Sequence, residues 1–203
     1  PFTQDPLGLF HVLSSTILET QRLSGAGHLQ PLYDLLWFFQ NQFFGLWYLP
    51  YSMTSISVHI LNSYLVYEAI VCVTQKKRIA IIGGIFFATL ATHQEAVTWV
   101  NAIPSELAVT GSLFSILLLL KEKKVFWSAL CLFIALLFKE TAIVMFPVIF
   151  LMSRLLQKKY AWYIVLVLVL YGIIRLSFLL AFPAIRPILP VSAMVWPPLN
   201  LQI

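Results

Sequence analysis

Apolar residues run in long stretches from residue 51 to residue 183, and the polar residues between them fall in short clusters. Runs such as "IAIIGGIFFATLA" and "LAVTGSLFSILLLL" are continuous, not alternating. That pattern suits helices in hydrocarbon and not the strands of a barrel. The expected fold is an all-α, polytopic transmembrane bundle. Its helices are expected over about 51–74, 79–96, 103–120, 125–139, 140–156 and 160–182, giving about six crossings.

Two stretches break the pattern. In 51–74, Ser55, His59 and Asn62 recur at helical spacing, so one face is polar and should look into the protein as an interhelical hydrogen-bonding face. "PLYDLLWFFQNQFFGLWYLP" begins with Pro31, a good first helical residue, but Asp34, Gln40, Asn41 and Gln42 interrupt its apolar residues. Residues 31–45 therefore read as a helix lying in the membrane interface. Residues 1–50 together form a non-cytoplasmic segment, and 184–203 begin another non-cytoplasmic loop.

Composition agrees with a membrane chain. Of 203 residues 60% are hydrophobic and 10% charged, where soluble domains carry about 25% charged residues. The formal charge of +5 comes from basic clusters between apolar runs, which sets topology and excludes a nucleic-acid surface. Cys72 and Cys131 lie inside apolar stretches with no metal-ligand spacing. The chain starts without Met and reads as a fragment.

The clusters Lys76–Arg78, Lys121–Lys124 and Arg154–Lys159 are expected on the cytoplasmic side. Each interval between them must then hold an even number of crossings. The interval 79–120 makes a hairpin whose apex, "THQEAVTWVNAIPSE", carries His93 and Glu95 to the opposite face. Residues 125–153 are only 29, against roughly 40 for two full spans. A hairpin of two short helices with Lys139 and Glu140 at its tip avoids burying Lys139 at the bilayer centre, which costs a few kcal/mol. Arg175 sits near the non-cytoplasmic end of the last helix.

These residues carry a family resemblance. "LQPLYDLLWFFQNQFFGLWYLPYSMTSISVHILNSYLVY", with His59 and Asn62 as a His-x-x-Asn pair, is followed in order by "THQEAVTWV" and "LLFKETAIVMFPVIFL". Together they resemble the GT-C superfamily of multi-pass glycosyltransferases. The likeness is to the polyprenyl- or dolichyl-phosphate-sugar-dependent protein O-mannosyltransferase-like branch, both tetratricopeptide-linked and bacterial. The resemblance covers residues 29 to about 156. Two arginines of that pattern are missing, with Leu29-Gln30 and Ile103 in their places. A chain lacking them must hold donor phosphate otherwise or lack activity.

The resemblance implies transfer of a sugar from a polyprenyl-phosphate donor to a protein, lipid or glycan acceptor on the non-cytoplasmic face. Inverting transfer needs a carboxylate to take the acceptor proton, and a leaving lipid phosphate needs cations or a metal. Asp5 and Glu95 are the catalytic candidates. His93, Lys139, Glu140 and Arg175 are the donor or phosphate-binding candidates, and whether a divalent metal takes part is left open. Plainer readings stand beside these. Asp5 is a loop residue before Pro6, His93 and Glu95 a solvated cap, Lys139 and Glu140 a neutralising pair, and Arg175 a snorkelling side chain.

A bacterial or archaeal plasma membrane fits this branch better than the endoplasmic reticulum. The rival readings are a transporter or lipid flippase, which should place ionisable groups near the midplane on broken helices, and a non-catalytic membrane scaffold.

Overall fold

A computed structural model describes residues 30–90, 98–99, 102–122, 124–157 and 161–181. The described residues are all-helical, with no strand among them. Seven α-helices follow in order: α1 (Pro31–Phe44), α2 (Tyr48–Thr74), α3 (Lys77–Thr89), α4 (Ile103–Leu117), α5 (Val125–Phe138), α6 (Phe146–Gln157) and α7 (Trp162–Ala181). A π-helical turn, Leu118–Glu122, extends α4, and a 3-10 segment, Glu140–Met145, precedes α6. Asp5, His93 and Glu95 lie outside the described residues, as do residues 184–203.

The first helix starts at Pro31 and stops at Gly45, whose φ of 54° is the left-handed geometry that ends helices. Its last turns are tied to α2: Gln40 Nε2 donates to Thr54 Oγ1 at 2.9 Å, and the Tyr51 hydroxyl donates to Gly45 O at 2.8 Å. With 27 residues, α2 is about 40 Å long. Its buried residues Tyr51, Ser55, His59, Asn62 and Leu65 fall on one stripe, as their spacing of three and four requires. Gln75 ends α2 in left-handed geometry, φ 58°, and turns the chain tightly into α3.

Contacts fix the helix directions. Asn62 meets Glu106 at the start of α4, and Glu68 meets Lys121 after its end, so α2 and α4 are parallel. Ser115 meets Ser128, and Ser105 meets Lys139, so α5 runs antiparallel to α4. Close approach there depends on Gly111, where a Cβ would stand 2.9 Å from Ala135 Cβ. Small residues at such a seam let two backbones pack tightly. The core is built from Leu119, Val125, Leu132, Leu136, Ile149 and Ile164, drawn from α4 through α7.

The bundle thus has two ends. Lys76–Arg78 and Lys121 mark one, and Ser105, Lys139 and Glu140 mark the other, about 24 Å away along α4.

Among the described residues two helices are long and apolar enough to cross a membrane by length and composition, Tyr48–Thr74 and Ile103–Lys121, where about six were expected. The shortfall is one of length. At 13 residues α3 is about 20 Å long, short of a hydrocarbon core of about 30 Å. It ends at Thr89, not near 96, because Leu90 turns extended (ψ 121°). The segment expected over 140–156 is divided instead of continuous, because Pro147 has no N–H to offer the preceding turn. Large apolar side chains are exposed along the helices, including Ile82 at 69% and Leu155 at 78%.

Candidate functional site

At the Lys139 end, α5 finishes with the Lys139 N–H bonded to Ala135 O, and the chain turns extended at Lys139 (φ −158°). That turn frees the side chain from the helix surface and sends it across to α4. There the Lys139 ammonium donates to Ser105 Oγ at 2.6 Å. Ser105 lies in the first turn of α4, behind Pro104. Glu140 is the first residue of the 3-10 segment and is half-buried.

The last helix brings two more polar groups to Glu140. Glu140 and Arg175 both lie within electrostatic range of the Tyr171 hydroxyl. Tyr171 and Arg175 are one helical turn apart on α7, which places them on one face. Tyr171 is only 4% exposed. Its hydroxyl and Arg175 Nη1 are buried without a hydrogen-bond partner among the described residues. A buried polar group left so costs about 1–3 kcal/mol, which an acceptor from a ligand would recover.

An apolar groove of about 250 Å³ opens beside this cluster between α4 and the 3-10 segment. Ser105, Ala108, Val109 and Ser112 form one wall, and Thr141 and Ala142 the other. Ser105 both lines the groove and accepts from the Lys139 ammonium, so a cation lies next to an otherwise largely apolar groove.

A second cluster lies one residue further along α4. Glu106 is 4% exposed, and Asn62 Nδ2 donates to its Oε2 at 2.7 Å and to its backbone oxygen at 3.0 Å. The Thr110 hydroxyl stands 2.7 Å from Asn62 Oδ1 and 2.9 Å from Glu106 O, sharing its one proton between them. His59 Nδ1 is 3.6 Å from Glu106 Oε2, and its Nε2 is 3.2 Å from Ala88 O. The ring also stacks on Phe87 with centroids 5.7 Å apart. Helices α2, α3 and α4 are locked together by this network. His59 and Asn62 act there as interhelical bonding groups around a buried carboxylate.

Of the candidates read from the sequence, Lys139, Glu140 and Arg175 gather at one end of the bundle, and His59 and Asn62 join the adjacent network. For His93 and Glu95 the described flanks are at the same end. Tyr48, at the start of α2, donates to Thr98 O at 3.1 Å, and Ala88 is held by His59. Among the described residues no three His, Cys, Asp or Glu side chains come together as a metal set.

Sequence reasoning missed Glu106, Ser105 and Tyr171. A signal existed for Glu106. A carboxylate in the first turn of an apolar helix needs buried donors, and the polar stripe of α2 was the place to find them.

No protein-family model, curated protein or solved structure matches the chain.

Proposed function

We propose that this chain is the membrane-embedded core of a GT-C type glycosyltransferase. It moves a sugar from a polyprenyl-phosphate-linked donor to a protein, lipid or glycan acceptor at the non-cytoplasmic face. The observation that carries the reading is the Lys139 ammonium seated on Ser105 at the head of the apolar groove, with Arg175 and Tyr171 at the same end. The groove takes the start of an isoprenoid chain, and the cations compensate the phosphate it carries.

In the transfer, an acceptor hydroxyl attacks the anomeric carbon, forming the new C–O bond. The bond from that carbon to the phosphate oxygen breaks, and its electron pair stays on the phosphate. The hydroxyl proton passes to a carboxylate, for which Asp5 is the candidate, while Glu95 and His93 hold the acceptor or the donor sugar. Lys139 and Arg175 stabilise the leaving phosphate and stand in for the two family arginines that this chain lacks.

The same reading embeds six helical passes in a bacterial or archaeal plasma membrane, with the Lys76–Arg78 and Lys121 end cytoplasmic and α1 in the opposite interface. Its support is the two long apolar helices and the exposed apolar side chains on the shorter ones. Short helices are accommodated by local thinning of the bilayer.

A transporter or flippase is the second reading, favoured by the buried His59–Glu106 pair and by the helix broken at Lys139–Met145. Glu106 lies in the first turn of α4 while its partner Asn62 is midway along α2, so the depth of this pair does not separate the two readings. A scaffold has no feature of its own in its favour.

The test is sugar transfer from a polyprenyl-phosphate sugar by the full-length protein, comparing Asp5→Asn with Lys139→Ala. Loss of turnover by about 100-fold in Asp5→Asn with donor binding retained supports it as the base. Donor binding without transfer by the unaltered protein turns the assignment to transport, and no donor binding removes the enzyme reading.

A further inference from the structure

The opposite end of α2 and α4 holds a site that glycosyl transfer does not use. Tyr64 and Glu68 lie one turn apart on α2. Phe114, Leu117, Leu118 and Lys121 follow one another at helical spacing on α4 and its π turn. The six face each other across an open cavity of about 260 Å³. Leucines and Phe114 make its walls, and its rim is the Lys121–Glu68 ion pair, with the Tyr64 hydroxyl interacting with the same carboxylate.

The rim sits where α4 changes geometry. The π turn Leu118–Glu122 widens the helix and is closed by the Lys124 N–H to Leu118 O, 3.3 Å. Single π turns recur at functional sites because they re-aim side chains that an α-helix would spread evenly. Here the re-aimed group is Lys121. Among the described residues Glu68 is its hydrogen-bond acceptor, which engages one of three ammonium donors. The Lys121 side chain remains 47% exposed.

We propose that this cleft binds the headgroup of an aminophospholipid, phosphatidylethanolamine being the simplest. The cleft is amphiphilic, with apolar walls running out to exposed Tyr64 and Ile60. Its polar rim is at the end marked by Lys76, Lys77 and Arg78, the level of headgroups in the membrane reading. A cation and an anion side by side complement a zwitterion. Lys121, with two ammonium donors still unused, takes the phosphodiester oxygens, and Glu68 accepts from the primary ammonium. A purely anionic headgroup meets repulsion from Glu68. A choline headgroup has no N–H to give it. The cavity takes the headgroup and first chain carbons, and the rest of the lipid lies on the apolar surface of α2. This inference rests on the membrane reading alone.

The experiment is native mass spectrometry of the full-length protein, released from micelles containing synthetic phosphatidylethanolamine, phosphatidylcholine or phosphatidylglycerol. Phosphatidylethanolamine should be retained roughly fivefold more than phosphatidylcholine, about one hydrogen bond's worth of affinity. Glu68→Gln should abolish that preference, and Lys121→Gln should lower retention of both lipids. Leu118→Trp fills the cavity while leaving the ion pair in place, so it should remove retention with the melting temperature unchanged. Equal retention of the two zwitterionic lipids, stronger retention of phosphatidylglycerol, or a preference that survives Glu68→Gln overturns the site. Release of the protein from membranes by alkaline carbonate would instead overturn the membrane reading beneath it.

Discussion

The Lys139 ammonium lies 2.6 Å from Ser105 Oγ, joining the end of α5 to the first turn of α4 at the head of an apolar groove. The next residue, Glu106, turns the other way and is held by Asn62 at 2.7 Å. Two neighbours in one helical turn thus serve different tasks. Ser105 seats the Lys139 ammonium, and Glu106 binds three helices into one body.

From the first contact we expect Lys139→Met to raise the KM for a polyprenyl-phosphate sugar by about tenfold or more with a smaller change in kcat. A charge-assisted hydrogen bond to phosphate contributes roughly 1.5–3 kcal/mol. Ser105→Ala keeps the ammonium and removes only its rest, so its KM should rise less than that of Lys139→Met. Steady-state transfer kinetics check the order, and a larger effect from Ser105→Ala would make Ser105 a ligand in its own right.

From the second contact we expect Asn62→Leu to destabilise the fold by about 2 kcal/mol. It leaves the buried Glu106 carboxylate without its side-chain donor, and interhelical hydrogen bonds in membranes contribute about 1–2 kcal/mol. Thr110→Val should cost less, because Thr110 reaches Glu106 only at its backbone oxygen. Reversible unfolding in mixed micelles measures both. A Glu106→Gln, Asn62→Leu double variant that is no better than Asn62→Leu alone would deny that the buried charge is the cause.

The helix pattern was legible because continuous apolar runs and basic clusters state where helices turn. Residues 51–74 were read as a helix, and the helix found is Tyr48–Thr74. The turn at Lys139 was readable because Lys139 and Glu140 are costly at mid-bilayer. The break after it was not, since Pro147 looks like part of one apolar run until its missing N–H is counted. Arg175 could be assigned to the end of the last helix from its position, but its company with Tyr171 and Glu140 is a matter of how α7 packs on α5, which spacing within one segment cannot show. Glu106 was hidden differently. It was visible as a charge in a polar stretch, yet its partner lies 44 residues away.

Gly111 sets the spacing of α4 and α5. A Cβ there would come within 2.9 Å of Ala135 Cβ and 3.1 Å of Cys131 O, one of them backbone that cannot move aside cheaply. Gly111→Ala should therefore cost about 1–3 kcal/mol despite alanine's better helix propensity. Thermal unfolding decides it, and an increase in stability would mean that the two helices separate without penalty.

Asp34 supplies a pH test outside the crossing helices. Burial pushes its carboxyl up to about 6, and the same burial, with Asp34 beside it, raises Tyr33. A carboxyl with a raised folded pKa binds its proton more tightly folded than unfolded, so stability falls as pH rises from about 4 to about 6 and levels off above. Asp34→Asn removes that loss. It should melt higher than the unaltered protein at pH 7.5, with the gap narrowing toward pH 4. A gap of constant size across the range would mean that the carboxyl does not titrate between folded and unfolded states.

The two ends of the bundle give the last prediction. Lys121 closes α4 at one end, and Ser105, bearing Lys139, opens it at the other, about 24 Å apart. That separation approaches the thickness of the hydrocarbon core, so in a membrane the two groups belong to opposite faces. The basic Lys76–Arg78 turn shares the Lys121 end, and in the proposed membrane reading the positive-inside preference makes that end cytoplasmic. The residues flanking 91–97 share the Lys139 end, through Tyr48 and Thr98. Cysteines placed singly at Gln94 and Glu122, with Cys72 and Cys131 replaced, should then respond oppositely to a membrane-impermeant thiol reagent in intact cells. Position 94 should label, and position 122 only after permeabilisation. Labelling of both from outside would place Lys139 and the basic turns on one face. It would remove the non-cytoplasmic site on which the proposed transfer depends.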